Sequence, residues 1–424
     1  MKKNILISLP FLRLTKLINE NIIAELLSDY ENIYIISPFD YHNNNERIIH
    51  IGWDENLNFV QYFLLRISDI FRRIGFFSKF RNDGFIYEDQ KSYLFKKNNG
   101  KKYLGILELL LIYAAKYIGR CETSWRIIRG IAILNGNKNL TKIDALISKY
   151  PFHSIQFAQW GVQDLILSSY FEKHSDFKIF YTYSTDQCVN GFLMTKYNKI
   201  YLQGNKEKTF LLKYHKLERD CEVVIKNIWS NYLYSKINKQ KIHKDIFLIC
   251  GADDTFYPKI SEINVIKEIL YRTNILNLYN VVYRPILDDF HTIDYYSTSF
   301  KNYKKLKIIP PSSNLVGLTR GVEQIKLQID IENYIELLQK SEYICSAFPT
   351  SLLIDGALVG AKVFSFGIDS TGYFERVDIY KSLKSKLDIY EGVNIFDNID
   401  ELIVFISSNE LKKINNDRLV QNWS

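Results

Sequence analysis

Along most of this chain, short runs of consecutive apolar residues alternate with segments whose apolar positions recur every three or four residues. "NILISLP" (4–10) reads as a buried strand, "LINENIIAELLSDY" (17–30) as an amphipathic helix and "NIYIISPF" (32–39) as a second strand. A strand–helix–strand succession of this kind builds a parallel sheet with crossover helices. From 56 to 146 the pattern turns helical and aromatic, before "SIQFAQW" (154–160) and "KIFYTYS" (178–184) bring strands back. A second alternating series follows, with strands at "DIFLICG" (245–251), "NVVYRPIL" (280–287), "YICS" (343–346) and "AKVFSF" (361–366). Helical spacing separates them at "EINVIKEILYRT" (262–273) and "IENYIELLQKS" (331–341).

The pattern predicts an α/β protein of two Rossmann-like domains. An N-terminal domain spans 1–217 with a helical insertion at about 56–146, and a basic, polar linker occupies 218–244. A second α/β domain covers 245–406, with a C-terminal helix at 407–424. Ligands of such sheets bind beyond the carboxyl ends of the strands, so the expected site is a cleft that the two domains face.

Composition narrows the class only a little. With 424 residues, 47% hydrophobic, eight prolines and nineteen glycines, the chain has ample material for two cores and no low-complexity character. Five cysteines (Cys121, Cys188, Cys221, Cys250 and Cys345) are scattered without a metal-ligand spacing, which suits reduced thiols in a cytoplasm and no metal site. The longest apolar run, from Leu104, carries Glu108 and Lys116 and is too short to cross a bilayer. The net charge of +8 fits a phosphate-bearing ligand or an anionic surface. Basic residues are interspersed with acids and carry no recognition motif, which argues against nucleic acid. The segment 57–81 reads as an amphipathic helix with Arg66, Arg72, Arg73, Lys79 and Arg81 on its polar side. Such a helix either rests on an anionic membrane as a peripheral contact or packs on its own domain.

The densest chemical signal is "SEYICSAFPTSLLIDGALVGAKVFSF" (341–366). A strand ends at Ser346, a hydroxyl-bearing turn follows, and a helix opens at Thr350 and Ser351. The unpaired N–H groups of a helix start attract an anion, and the two hydroxyls add donors there; equally, either residue suits a plain N-cap. Further upstream, Arg284 ends a strand, as a planar donor for phosphate or as the ion-pair partner of Asp288 or Asp289. Gly251 follows the first strand of the second domain and permits a close turn, with Asp253, Asp254 and Lys259 next to it.

In motif order this half resembles the nucleotide-binding half of GT-B glycosyltransferases, especially bacterial enzymes of surface-polysaccharide synthesis. The resemblance implies a nucleotide-sugar donor, UDP- or CMP-linked, and a glycan or lipid-linked glycan acceptor, with the nucleotide-sugar as co-substrate and no other cofactor. It places donor contacts at Gly251, Arg284, Ser346, Thr350, Ser351 and Asp355, the last standing where many members carry the Glu that meets the ribose. Arg284-Pro285 is followed by Ile286 and Leu287 where members often have His and Pro. In many members the C-terminal helix returns to the first domain, which the resemblance implies for 407–424. A polyol-phosphate transferase, a nucleotide-sugar epimerase or an inactive nucleotide-sugar-binding protein would share this architecture.

On the acceptor side, "YTYSTDQCVNGF" (181–192) brings Asp186 and Gln187 to a strand's carboxyl end. Asp186 is the general-base or nucleophile candidate, since an inverting transfer needs a group to take the acceptor hydroxyl's proton and a retaining one needs a nucleophile. Gln159, Trp160 and Asp164 in "FAQWGVQD" complete the acceptor-side candidates, with Trp160 able to stack on a sugar ring.

Overall fold

The computed structural model describes residues 3–10, 18–19, 22–53, 57–79, 102–134, 137–147, 151–157, 161–182, 188, 191–237, 242–252, 257–286, 291–309, 331–368 and 390–423. The chain divides into two compact units, Met1–Trp229 and Ser230–Ser424. Each is an α/β unit on a parallel sheet.

The first unit runs β1 (Lys3–Ser8), α1 (Ile23–Asp29), β2 (Tyr30–Ser37), β3 (Ile48–Gly52), α2 (Phe59–Lys79), α3 (Lys102–Ile118), α4 (Glu122–Leu134), α5 (Lys138–Ile147), β4 (Phe152–Gln156), α6 (Gly161–His174), β5 (Ser175–Tyr181), β6 (Lys199–Leu202), α7 (Asn205–Tyr214) and β7 (Glu222–Ile225). Its strands lie in the order β3-β2-β1-β4-β5-β6-β7, all parallel. Ile5, Leu6 and Ile7 of β1 are fully buried. That is why the central strand reads as an unbroken apolar run: a parallel sheet is covered on both faces.

Helices α2 to α5 form the insertion expected from the sequence. Gly75 of α2 and Gly119 after α3 let two helical backbones touch, since a Cβ on Gly75 would stand 1.9 Å from the Gly119 carbonyl oxygen. Arg72, expected on the polar side of this helix, is instead buried. It bonds Asp69 at 2.9 Å and donates to the Phe192 carbonyl at 2.8 Å, anchoring α2 to the loop before β6. Arg129 of α4 is likewise buried and reaches Glu172 at 2.6 Å and the Met194 carbonyl at 2.7 Å. Helical periodicity alone cannot reveal such pairs, because a buried guanidinium depends on partners from other elements.

His215, just after α7, is buried with its ring stacked on Phe76 at 4.8 Å, and Nε2–H donates to the Cys188 carbonyl at 2.6 Å. Burial pushes its pKa down to about 4, and Arg72 and Lys79 act in the same direction. The unfolded imidazole binds a proton near the ordinary value of about 6.5, so stability is fully present above that pH and is lost as pH falls towards 4. Urea unfolding should show wild type losing about 3 kcal/mol across this window relative to His215→Asn, which has no imidazole to titrate. Parallel pH profiles would refute the assignment.

The second unit begins inside helix α8 (Ile228–Lys236) and continues with β8 (Ile246–Cys250), α9 (Lys259–Arg272), α10 (Ile275–Leu278), β9 (Asn280–Arg284), α11 (Ile293–Ser299), β10 (Lys307–Ile308), α12 (Ile331–Lys340), β11 (Ser341–Ser346), α13 (Ser351–Leu358), β12 (Lys362–Phe366), β13 (Asn394–Phe396), α14 (Ile399–Ser407) and α15 (Asp417–Trp423). The sheet order is β10-β9-β8-β11-β12-β13, again all parallel.

Two boundaries differ from the sequence reading. The stretch 218–244 contains β7, the edge strand of the first sheet, and α8; a four-residue, half-buried edge strand leaves too short an apolar signal to register. The C-terminal helix, expected to return to the first domain, packs against α13 of its own unit. Trp423 is fully buried there and its carbonyl accepts from Ser230 at 3.4 Å, while Asn416 donates to the Ala361 carbonyl at 2.5 Å.

Candidate functional site

In the second unit the strand order reverses direction at β8 and β11. These adjacent strands send their following helices towards opposite edges of the sheet, and the ends of such a strand pair form the natural crevice of a doubly wound sheet. Most of the residues singled out for donor binding fall on the loops that leave these ends or on the neighbouring strand β9.

Gly251 and Ala252, which leave β8, are held by buried charge. Glu262 of α9 accepts from Ala252 N–H at 3.0 Å and from the Tyr283 hydroxyl, and Lys259 lies 3.5 Å from the same carboxylate while also donating to the Ala252 carbonyl. Both charged residues are buried. Gly251 fits this corner because a Cβ would stand 2.6 Å from Glu262 Oε1 and 3.1 Å from Ile286 N. Its N–H donates to the Arg284 carbonyl at 3.0 Å, so Gly251 continues the ladder between β8 and β9.

The turn after β11 is strained. Phe348 has φ of +146°, far from the regions open to a bulky L-residue, and immediately precedes Pro349. Ser346 and Ser365 hold it: the Ser346 hydroxyl donates to the Phe348 carbonyl, and the Ser365 hydroxyl donates to the Ser346 carbonyl at 2.9 Å. Ser346 is therefore a fully buried brace of the turn. The N-cap of α13 is Thr350, in extended conformation, and its hydroxyl makes no capping hydrogen bond. Thr350 is half-buried and Ser351 exposed, so the capping alternative is not the one realised at Thr350. Backbone strain of this kind costs on the order of 1–3 kcal/mol and gathers at ligand-binding turns.

Arg284 ends β9 directly beside Cys250. Its guanidinium lies 5.4 Å from the centre of the Tyr334 ring, and the Tyr334 hydroxyl donates to Asp355 Oδ2 at 2.7 Å. Burial first, then the Asp355 carboxylate, push the Tyr334 pKa well above the usual phenol range, so it remains a proton donor. Arg284, Tyr334 and Asp355 thus form one chain of contacts from three elements. Burial also lifts the Cys250 thiol to about 12 and the Cys345 thiol well above its ordinary value; both are inert core groups.

In the first unit the same reversal occurs between β1 and β4. There Asp164 is fully buried, accepting from the Ser8 hydroxyl at 3.4 Å, and its carbonyl accepts from Gln156, which in turn accepts from Tyr197. Asp164 belongs to this internal network. Asp186, Gln187, Gln159 and Trp160, and also Asp253, Asp254, Asp288 and Asp289, lie outside the described residues. Among the described residues no group of three His, Cys, Asp or Glu side chains is arranged to hold a metal ion, and no helix is long and apolar enough to cross a membrane.

Sequence reasoning did not find Tyr334, Glu262, Phe348 or Ser365. Tyr334 reads as one more position of an amphipathic helix, and no local pattern marks the other three.

Neither a family profile nor a curated protein sequence matches the chain. Similar solved structures include UGT89C1 of Arabidopsis thaliana complexed with quercetin, at 8% identity and a TM-score of 0.48, covering 99% of this chain and 92% of that one. The UDP-GlcNAc 2-epimerase of Methanocaldococcus jannaschii in complex with UDP-GlcNAc and UDP has 12% identity, a TM-score of 0.47 and coverage of 99% and 97%. The trehalose 6-phosphate synthase of Burkholderia multivorans has 7% identity, a TM-score of 0.46 and coverage of 100% and 95%.

Proposed function

We propose that this chain is a glycosyltransferase that holds a nucleotide-sugar at the ends of β8, β9 and β11 and passes the sugar to a hydroxyl of a surface glycan. The observation that carries the reading is the strained Phe348 turn at the strand reversal, which opens an uncapped helix start on α13, the helix whose Asp355 is linked through Tyr334 to Arg284. Glycosyl transfer leaves negative charge on the phosphate of the departing nucleotide. A fixed guanidinium and unpaired helix N–H groups favour that charge without reorganising during the reaction. Asp355, held by Tyr334, takes the ribose end of the nucleotide. On the acceptor side we assign the proton-accepting carboxylate to Asp186, by its position in sequence after β5. The enzyme would work in the cytoplasm, on a glycan or lipid-linked glycan.

The test is a thermal-shift screen of the full chain with UDP, CMP, GDP and CDP, followed by product analysis with the matching labelled sugar donor. One nucleotide at about 100 times its dissociation constant should add about 2.7 kcal/mol of stability. Label should then appear in a glycan acceptor. No stabilisation by any nucleotide would overturn the binding site, and label recovered in an epimerised free nucleotide-sugar would overturn the transfer.

A further inference from the structure

The helical insertion presents an apolar surface to solvent. The Ser68 hydroxyl donates to the Trp125 carbonyl at 2.8 Å, and Gly75 meets Gly119, so advancing from 119 to 125 retreats along α2 from 75 to 68. Helix α4 therefore runs antiparallel to α2. Leu134 lies as far beyond Trp125 as Phe59 lies before Ser68, which brings the last turn of α4 level with the first turn of α2. Both turns are exposed and apolar: Phe59 is 81% exposed, Leu134 77%, Ile127 56%, Ile131 49% and Phe63 40%. Ile127, Ile131 and Leu134 form one outward stripe of α4, opposite the buried Trp125, Arg129 and Ala132. The Phe59 and Phe63 rings stack at 6.1 Å.

Basic residues border this surface. Arg66 follows Phe59 and Phe63 along α2, and Lys138 and Lys142 are exposed on α5, which starts shortly after Leu134. The acids of the same helices point elsewhere: Asp69 is buried against Arg72, and Asp144 accepts from Tyr170 at 2.7 Å. Exposed aromatic and aliphatic side chains with exposed lysines near them match the apolar interior and charged headgroups of an anionic lipid surface better than a nucleic acid.

We infer that the paired ends of α2 and α4 dock this protein on an anionic bilayer, with Phe59, Phe63, Ile131 and Leu134 entering the interface and Lys138 and Lys142 meeting the headgroups. This surface keeps only the first turns of the amphipathic helix that the sequence suggested and joins them to α4, since Arg72 farther along α2 is buried. The inference goes beyond the proposed function and needs no nucleotide.

The test is co-sedimentation of the full chain with phosphatidylcholine vesicles, with and without phosphatidylglycerol, at low and high salt. Wild type should pellet with the anionic vesicles at low salt, and Phe59→Ser/Leu134→Ser should bind them about tenfold less tightly. Lys138→Glu/Lys142→Glu should weaken binding only where phosphatidylglycerol is present and salt is low. These positions are exposed, so every variant should keep the wild-type melting temperature and the same nucleotide response, whatever that response is. Wild type remaining in solution with anionic vesicles would overturn the inference, as would unchanged binding by the double serine variant. A wild-type dimer that the serine substitutions make monomeric would also overturn it, by identifying the surface as a contact between two copies.

Discussion

Glu262→Ala should destabilise the second unit by about 3–5 kcal/mol, read as a lower urea midpoint, because it leaves a buried lysine without its counter-charge. Three groups lose one partner together: the Lys259 ammonium (which keeps the Ala252 carbonyl), the Ala252 N–H and the Tyr283 hydroxyl. Each is buried, and the loss of an acceptor by a buried donor costs about 1–3 kcal/mol. Glu262→Gln keeps an oxygen for Tyr283 but removes the charge opposite Lys259, so its loss should be intermediate. Lys259→Met should cost less than Glu262→Ala, since the carboxylate retains two donors and the thioether chain fills the same space. A Glu262→Ala loss under about 1 kcal/mol would show that water or a rearranged loop replaces the pair. The consequence reaches the site, because the same carboxylate accepts from Ala252 N–H and packs against Gly251, the two residues that leave β8.

The buried strands were the legible part of this fold, and for a physical reason. Central parallel strands are covered on both faces, so "ILI" in β1 and "FLIC" in β8 are continuous apolar runs that need no long-range knowledge. β7 sits at an edge and is half-buried, so "EVVI" merged with the polar stretch around it. Of the candidate site, Arg284, Thr350 and Ser351 could be singled out on local features, a strand end and a helix start, and Asp355 by motif order. The roles they take depend on partners that are not local. Tyr334 meets Asp355 only because α12 and α13 pack together, and Ser346 faces its own turn only because Phe348 adopts a positive φ that no Gly or Asn announces. A serine at a strand end has the same appearance in sequence whether its hydroxyl faces a ligand or a carbonyl.

That distinction makes Arg284 the most informative residue to replace. Its guanidinium is held over Tyr334 at the end of β9, while the Tyr334 hydroxyl engages Asp355. If the nucleotide's phosphate lies against Arg284, Arg284→Ala removes charge-assisted hydrogen bonds worth about 1.5–3 kcal/mol, and the dissociation constant should rise about tenfold to a hundredfold. Arg284→Lys keeps the charge but loses the planar fork and the stacking, so it should fall between the two. The matching nucleoside, which lacks phosphate, should bind wild type and Arg284→Ala alike. Asp355→Asn should give the opposite split, weakening nucleoside and nucleotide by the same factor. Titration calorimetry of the four proteins with the nucleotide that passes the thermal screen, and with its nucleoside, measures all eight values. Equal losses for nucleoside and nucleotide in Arg284→Ala would mean that Arg284 acts only by holding Tyr334 and Asp355 in place. The phosphate would then have to be assigned to the helix start at Thr350 and Ser351, where raising the ionic strength should weaken the nucleotide of Arg284→Ala as steeply as that of wild type.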